Sequence, residues 1–224
     1  MKTTIRTAGI LFLALTLMIS MTSCTKNAGP SNIANGNAVT NLQLQVNNLP
    51  KETLSSTESG NLLFMREEEK LARDVYTGLY NKWGAIIFNN ISASEQTHMD
   101  GILMLLNKYG LPDPAGSNAI GVFTNKDLQE LYNQLMAEGN ASISAAYNVG
   151  ATIEDLDLYD LGNAMGSIDN QDIRFVYESL SKGSRNHMRS FYGNLGTLGI
   201  IYNARFITQA ELELIINSDM ERGF

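Results

Sequence analysis

The side chains best suited to chemistry in this chain are its two histidines, and each is associated with carboxylates at helical spacing. Glu95-x-x-His98 places a carboxylate and an imidazole three residues apart, and residues at that spacing project from the same face of a helix. His187 lies in a later segment, downstream of Glu154 and Asp157. Carboxylates mixed with imidazoles suit iron or manganese better than calcium, which prefers oxygen ligands alone. The pattern therefore indicates a site for one or two divalent metal ions.

Four amphipathic segments would position these groups, because their inward-facing residues recur every three or four positions. These residues are Met65, Glu69, Ala72, Tyr76, Leu79 and Trp83; then Ile91, Glu95, His98, Ile102, Leu105 and Tyr109; then Ile143, Tyr147, Gly150, Glu154, Asp157, Leu161 and Ala164; and finally Ile173, Tyr177, Leu180, Ser184, His187, Phe191 and Asn194. Each segment carries polar groups near its middle, so four packed helices would bring them to one level. An unpaired buried charge costs several kcal/mol, and a bound cation would offset that cost.

The boundaries of these segments are typical of helices. Ser55 and Glu58 have the spacing of a capping box, and Gly110 with prolines just beyond it is a helix stop. The connection between the two halves contains a polar helix from Lys126 to Glu138, and a short helix is expected near residues 208–217. Signals for β-strands are sparse. The sequence therefore predicts an all-α fold: a four-helix bundle whose crossover connection carries an extra helix, followed by a short C-terminal helix.

At these residues the sequence resembles the ferritin-like superfamily, in particular rubrerythrin-type di-iron bundles. Their ligand motifs are similar to Glu69-Lys70-Leu71-Ala72-Arg73-Asp74-Val75-Tyr76, Glu95-x-x-His98, Glu154-x-x-Asp157 and His187. The stretches MREEEKLARDVY, SEQTHM and GSRNHMRSF also resemble an uncharacterised bacterial ferritin-like family. The resemblance covers residues 56–194. It implies that iron or manganese is held by Glu69, Glu95, His98, Glu154, Asp157 and His187.

The chain departs from the ferritin-like pattern at Ser184, where the superfamily has a glutamate, and at Asp157, which is one methylene shorter than the usual ligand. Three outcomes follow: Asp157 and water complete a weaker second metal position, a single metal binds, or the polar groups bond to one another without metal. Tyr76 and Tyr177 lie one heptad from site positions. They would relay electrons, hydrogen-bond a metal-bound oxygen, or simply pack in the core.

Glu67 and Glu68 precede the first ligand position in a run of three glutamates. Neither coincides with the inward-facing positions of its segment. We therefore expect both to lie on a solvated face of the helix, paired with Lys70 or Arg73.

The N-terminal residues are typical of an export signal. Lys2 and Arg6 precede an apolar run over residues 8–20, which is too short to cross about 30 Å of hydrocarbon. Met21-Thr22-Ser23-Cys24 resembles a bacterial lipoprotein signal, in which the cysteine is lipidated. The alternative is an ordinary cleaved signal that leaves a thiol. No nucleic acid partner is expected, because the net charge is −7 without a basic cluster.

Three regions are predicted. Residues 1–23 form the signal peptide, residues 24–54 a flexible Asn-rich tether, and residues 55–224 the ferritin-like domain. Within the tether, Leu42, Leu44 and Val46 alternate with polar residues and are expected to form a short extended piece.

The leading hypothesis is an exported, lipid-anchored metalloprotein of a bacterial cell envelope, facing the periplasm. It would be a metal-dependent oxidoreductase with oxidase or peroxidase chemistry if its metal is redox-active. Cys24 is the single cysteine, so the chain has no rubredoxin-like iron site and its electron donor is unknown. The main alternative is a metal-free interaction or structural module, and a metal-storage cage is a weaker third hypothesis. A homodimer is compatible with each.

Overall fold

The computed structural model describes residues 41–222, and all regular structure within that range is α-helical. The helices are α1 (residues 41–48), α2 (Ser56–Trp83), α3 (Ile86–Tyr109), α4 (Lys126–Gly139), α5 (Ile143–Met165), α6 (Gln171–Thr197) and α7 (Gln209–Ile216). The all-α fold class is therefore confirmed, with α4 and α7 where extra helices were predicted. None of the helices in residues 41–222 is both long enough and apolar enough to cross a membrane.

The ends of the first long hairpin follow from local side-chain chemistry. Ser55 caps α2 by accepting a hydrogen bond from the backbone of Glu58, whose side chain bonds back to Ser55. Gly84 ends α2 and Gly110 ends α3, each in the left-handed region with φ of 66° and 73°. This conformation costs a glycine little. The chain can therefore turn from α2 into α3 within two residues.

The four long helices pack as two hairpins. Helix α2 pairs with α3, and α5 pairs with α6. The hairpins then meet face to face, with α2 against α5 and α3 against α6, while α4 packs on α2 and α5 and α7 packs on α6. The connection through α4 thus bridges the two hairpins.

The apolar interior is divided into two clusters. One contains Tyr76, Phe88 and Phe191, whose ring centroids lie 5.3–6.2 Å apart in tilted contacts. The other contains Met65 and Tyr177. On each long helix, the residues of one cluster precede the predicted ligand positions and the residues of the other follow them. The polar side chains therefore occupy a layer between two dry regions.

The prediction that Glu67 and Glu68 are solvated is wrong, because only 2% and 4% of their surfaces are exposed. Glu67 accepts hydrogen bonds from the backbone N–H groups of Thr124 (2.5 Å) and Asn125 (2.8 Å), and so holds the start of α4. The expected partners pair elsewhere: the Lys70 ammonium bonds to the carboxylate of Asp74 (2.5 Å), and so does Arg73 (2.7 Å).

The extended conformation predicted around Leu42 and Val46 is also wrong. Residues 41–48 are helical, and both side chains are buried in the cluster that contains Met65. Lys108 of α3 holds the end of α1 by donating to the carbonyls of Val46 (2.9 Å) and Leu49 (3.0 Å). The predicted signal peptide and Cys24, the cysteine predicted to be lipidated, lie outside the described residues.

A buried carboxylate also fixes the segment that leads into α7. Asp155 of α5 accepts a hydrogen bond from the Tyr202 hydroxyl (2.7 Å) and from the backbone N–H groups of residues 205 (2.6 Å), 206 (3.3 Å) and 207 (2.9 Å). Four donors on one carboxylate compensate for its loss of hydration.

Replacing Asp155 by asparagine should lower the free energy of unfolding by about 2–4 kcal/mol, because the charge is lost and an N–H group then faces other donors. Urea denaturation followed by circular dichroism measures the change. Asp169→Asn is the matched control, since Asp169 is exposed and its substitution should change stability by less than about 0.5 kcal/mol. Equal stability of the two variants would contradict the assigned role of Asp155.

Candidate metal centre

Five buried side chains from the four long helices form two groups that could each hold a metal ion. Glu69, Glu95 and His98 form the first group, and Glu95, Glu154 and His187 form the second. Within each group the ligand atoms lie within 4.8 Å of one another. Glu95 belongs to both groups, so its carboxylate stands between two candidate metal positions.

Each oxygen of the Glu95 carboxylate contacts a different histidine. Its Oε2 lies 2.7 Å from Nδ1 of His98, and its Oε1 lies 2.9 Å from Nδ1 of His187. His98 Nδ1 is also 3.1 Å from Glu69 Oε2, and His187 Nδ1 is 3.4 Å from Glu154 Oε2. The imidazole rings lie side by side, with centroids 5.5 Å apart and planes inclined by 29°. One carboxylate thus links both histidines.

The outer nitrogen of His187 has a separate partner. Its Nε2 lies 2.9 Å from the hydroxyl oxygen of Ser94 on α3. When Nε2 carries the ring proton and donates to Ser94, Nδ1 presents a lone pair to the carboxylates. This is how a partner on one nitrogen selects the tautomer that ligates metal through the other.

Several atoms of the layer are buried without a hydrogen-bond partner. They are Glu69 Oε1, Glu95 Oε1, Asp157 Oδ1 and His187 Nδ1. Glu95 Oε1 and His187 Nδ1 are 2.9 Å apart but do not have the orientation of a hydrogen bond. Each of the two groups of donor atoms could therefore hold a metal ion.

Tyr76 both packs in the core and contacts a candidate ligand. Its ring belongs to the aromatic cluster with Phe191. Its hydroxyl donates to Glu154 Oε1 at 2.5 Å and lies 3.3 Å from the carbonyl oxygen of Gly150. The hydrogen bond leaves Glu154 Oε2 directed toward His187. Tyr76 therefore orients Glu154.

Asp157 lies outside the two groups of possible ligands, although it is buried in the same layer. The Ser184 hydroxyl donates to Asp157 Oδ2 and also lies 3.0 Å from the carbonyl oxygen of Leu180. The other carboxylate oxygen of Asp157 has no partner. The serine that replaces the expected glutamate thus holds a neighbouring carboxylate.

Burial and mutual charge shift the pKa values of the layer in different directions. Burial raises the pKa of Glu69 to about 7, although His98 acts against the rise. Burial would also raise the pKa of Glu95, but His187 and His98 reverse this and lower it. Burial would lower the pKa of His187, yet Glu95 and Glu154 raise it to about 10. The pKa of His98 is likewise raised, by Glu69 and Glu95 against the effect of burial.

Glu68 is the polar group beside the layer that the sequence interpretation missed. Both of its carboxylate oxygens are buried without a hydrogen-bond partner, and so is the hydroxyl of Tyr177. Glu68 is in helical register with Leu71, Val75 and Leu79, which are all buried. That register is the signal that could have shown it to face the interior.

These observations define a class: an all-α protein with a buried carboxylate and imidazole layer between two helical hairpins. Residues 58–219 match the family model described as "Uncharacterized protein domain (DUF2202)". The chain belongs to this family, and the match spans all the residues of the layer.

A curated relative and a solved structure agree with this assignment. The chain is 53% identical over 178 residues to the uncharacterized protein MJ0754 of Methanocaldococcus jannaschii, covering 80% of this chain and 96% of that protein. The crystal structure of hypothetical protein MJ0754 from Methanococcus jannaschii DSM 2661 is similar, with a TM-score of 0.76 and 53% identity. That similarity covers 77% of this chain and 99% of that one. The helical fold is therefore shared with this relative.

The metal-free protein should lose stability as the pH rises from about 5 to about 10. Between pH 4.5 and about 7 the folded state keeps a proton on Glu69 that the unfolded chain has released. Between pH 6.5 and about 10 the folded state likewise keeps a proton on His187 that the unfolded chain has released. The folded state binds more protons throughout, so stability falls with rising pH. Thermal melts with chelator at pH 5, 7 and 9 test this, and a melting temperature that increases along the series would contradict it.

The backbone of α6 leaves room for the His98 ring at Gly183. A Cβ atom built there would lie 2.3 Å from Nε2 and 2.6 Å from Cε1 of His98. Gly183→Ala should therefore displace the ring and lower the free energy of unfolding by about 1–3 kcal/mol. Gly193→Ala on the same helix meets nothing within 4 Å and should stabilise by about 0.5–1 kcal/mol. Urea denaturation of both variants measures the difference, and similar shifts would disprove the close approach.

Proposed function

We propose that the protein is a ferritin-like metalloprotein that binds iron or manganese between its two helical hairpins. The observation that carries the proposal is the bridging position of Glu95, between His98 and His187 in the dry interior. Its Oε1 and the facing His187 Nδ1 have no hydrogen bond. A cation would satisfy both atoms.

The arrangement of ligands supports the ferritin-like assignment. Di-metal carboxylate bundles take one glutamate from each of two helices and a Glu-x-x-His pair from each of the other two. Here Glu69 and Glu154 are the single glutamates, Glu95-x-x-His98 is one pair, and His187 belongs to the other. The long connection through α4 corresponds to the crossover of that fold.

The shared carboxylate favours two metal positions over one. Each position has one imidazole, one glutamate of its own and Glu95 in common. Asp157 is the additional carboxylate that can approach a metal, through its unpartnered Oδ1. Four carboxylates would balance the charge of two divalent ions, which supports a dinuclear centre.

The surrounding residues would support oxidase or peroxidase chemistry. Bound iron or manganese supplies one-electron redox chemistry toward oxygen or peroxide. Tyr76 orients Glu154, and the two apolar clusters exclude bulk water. A Ser94 hydroxyl that accepts from Nε2 of His187 would leave Nδ1 to bind a metal. An external electron donor is needed, because the chain has a single cysteine.

A metal-free structural module is the second candidate. The short distances between the histidine nitrogens and the carboxylate oxygens support it. Protonated His98 could pair with Glu69 and Glu95, and protonated His187 with Glu95 and Glu154. Such pairs would fix the register of the two hairpins without metal. The protein would then act through its surface.

The cellular location is a proposal from the sequence alone. The apolar run over residues 8–20 followed by Cys24 supports export and lipid anchoring. The domain would then stand in the cell envelope on the periplasmic side. A homodimer is compatible with this arrangement.

Metal content separates the two candidates. Protein purified without chelator should contain iron or manganese, and His98→Ala and His187→Ala should each lose at least half of it, because each removes an imidazole ligand. Elemental analysis measures this. Asn186→Ala is the matched control beside His187, because Asn186 contacts the backbone of Glu221 instead.

The melting temperature provides a second measurement. Chelator should lower it by several degrees in the wild type, because a ligand bound only by the folded state stabilises that state. Equal metal content in the wild type and both histidine variants would refute the metal centre. A metal-free wild type that neither Fe²⁺ nor Mn²⁺ stabilises would favour the structural module.

A further inference from the structure

Glu68 differs from Glu58 and Glu67, two other buried carboxylates of α2, because no backbone N–H group donates to it. Glu58 and Glu67 each accept hydrogen bonds from backbone N–H groups. Both oxygens of Glu68 lack any such donor, although the residue is only 4% exposed. The group within hydrogen-bonding reach of Glu68 is a second carboxylate, Asp160, so Glu68 lacks the backbone donors that satisfy Glu58 and Glu67.

The groups around Glu68 are themselves acidic or unpartnered. Asp157, Asp160 and Glu69 lie close enough for their charges to act on it. The Tyr177 hydroxyl is also nearby and lacks a partner. Repulsion among carboxylates in a dry region is unfavourable unless a cation or a proton joins them. The cluster therefore favours the transient binding of a cation.

A surface cavity reaches this cluster from outside. It has a volume of about 270 Å³ and lies between the N-terminal half of α2 and the C-terminal part of α5. Asn61, Asp160 and Asn163 are among the polar residues that line it. Asp160 is half-buried and lies within hydrogen-bonding reach of Glu68. Carboxylates thus lead from the cavity through Asp160 and Glu68 to Asp157 and Glu69.

We propose that Asp160 and Glu68 form the access route by which divalent cations pass from this cavity to the metal centre. The proposal rests on the proposed function, since it assumes that the centre binds metal. Oxygen ligands replace part of the hydration shell of the ion as it moves inward. The unpartnered oxygens of Glu68 would take the ion from Asp160 and deliver it to the side of the centre formed by Glu69 and Asp157.

The geometry favours passage over permanent binding at Glu68. Among the described residues, Glu68, Asp157 and Asp160 do not form a group with three ligand atoms within 4.8 Å. Conduction requires sites that bind strongly enough to admit an ion and weakly enough to release it. Successive carboxylates without a complete ligand set meet this requirement.

The rate of metal loading tests the route. Co²⁺ is the probe, because it accepts the same carboxylate and imidazole ligands and its visible absorption reports binding. In stopped-flow mixing of metal-free full-length chain with Co²⁺, Glu68→Gln and Asp160→Asn should each load about tenfold more slowly than the wild type. The final Co²⁺ stoichiometry should be unchanged. Glu130→Gln, which removes an exposed charge on α4, should load at the wild-type rate.

The outcomes separate the route from the metal centre. Slower loading of both variants with full final stoichiometry supports the route. Wild-type rates in both variants would overturn it while leaving the metal centre intact. Reduced stoichiometry in Glu68→Gln would also overturn it, because Glu68 would then be a ligand. A wild type that binds no Co²⁺ would refute the proposed function and the route together.

Discussion

The contact of Glu95 with both histidines is the constraint on which the rest of the structure depends. His98 reaches Glu95 from the same helix, while His187 reaches it from α6. This fixes the rotation of α3 and the register of one hairpin against the other. The apolar clusters on either side make the contact strong, because charges interact more strongly where water is excluded. A shift of one helical turn in either hairpin would leave these charges buried and unpaired.

Hydrogen-bond satisfaction separates two uses of buried carboxylates in this protein. Glu58, Glu67 and Asp155 each accept backbone N–H groups from a connecting segment, and so replace the hydration that they lose. Their burial contributes to the fold. Glu68 and Glu95 retain oxygens without donors, which a folded chain tolerates at a cost. Glu95 is also one of the residues that could hold a metal ion, which would offset this cost.

The long helices and the layer were predictable because one inward-facing stripe per helix gives a clear period. Glu95 and His98 were placed by spacing alone, and the all-α fold followed from the same pattern. The burial of Glu67 and Glu68 was not predictable from this pattern. Helix α2 contacts α3, α4 and α5, so it buries more than one stripe of residues. Residues 41–48 were misjudged for a different reason. Three alternating apolar residues fit a strand locally, whereas packing against the domain selects a helix.

Ser184 lowers the negative charge of the layer beside Asp157. A glutamate there would add a further negative charge beside Asp157, whereas the serine hydroxyl donates to it. Asp157 therefore keeps its other oxygen without a hydrogen-bond partner, and its charge acts on the nearby Glu68. On the opposite side, Tyr76 binds Glu154 and Phe191 packs so tightly that a Cβ at Gly150 would lie 2.4 Å from its ring. The layer is thus bordered by closely packed rings near Glu154 and by further carboxylates near Asp157. The serine contributes to this asymmetry because it binds one oxygen of Asp157 and leaves the other without a partner.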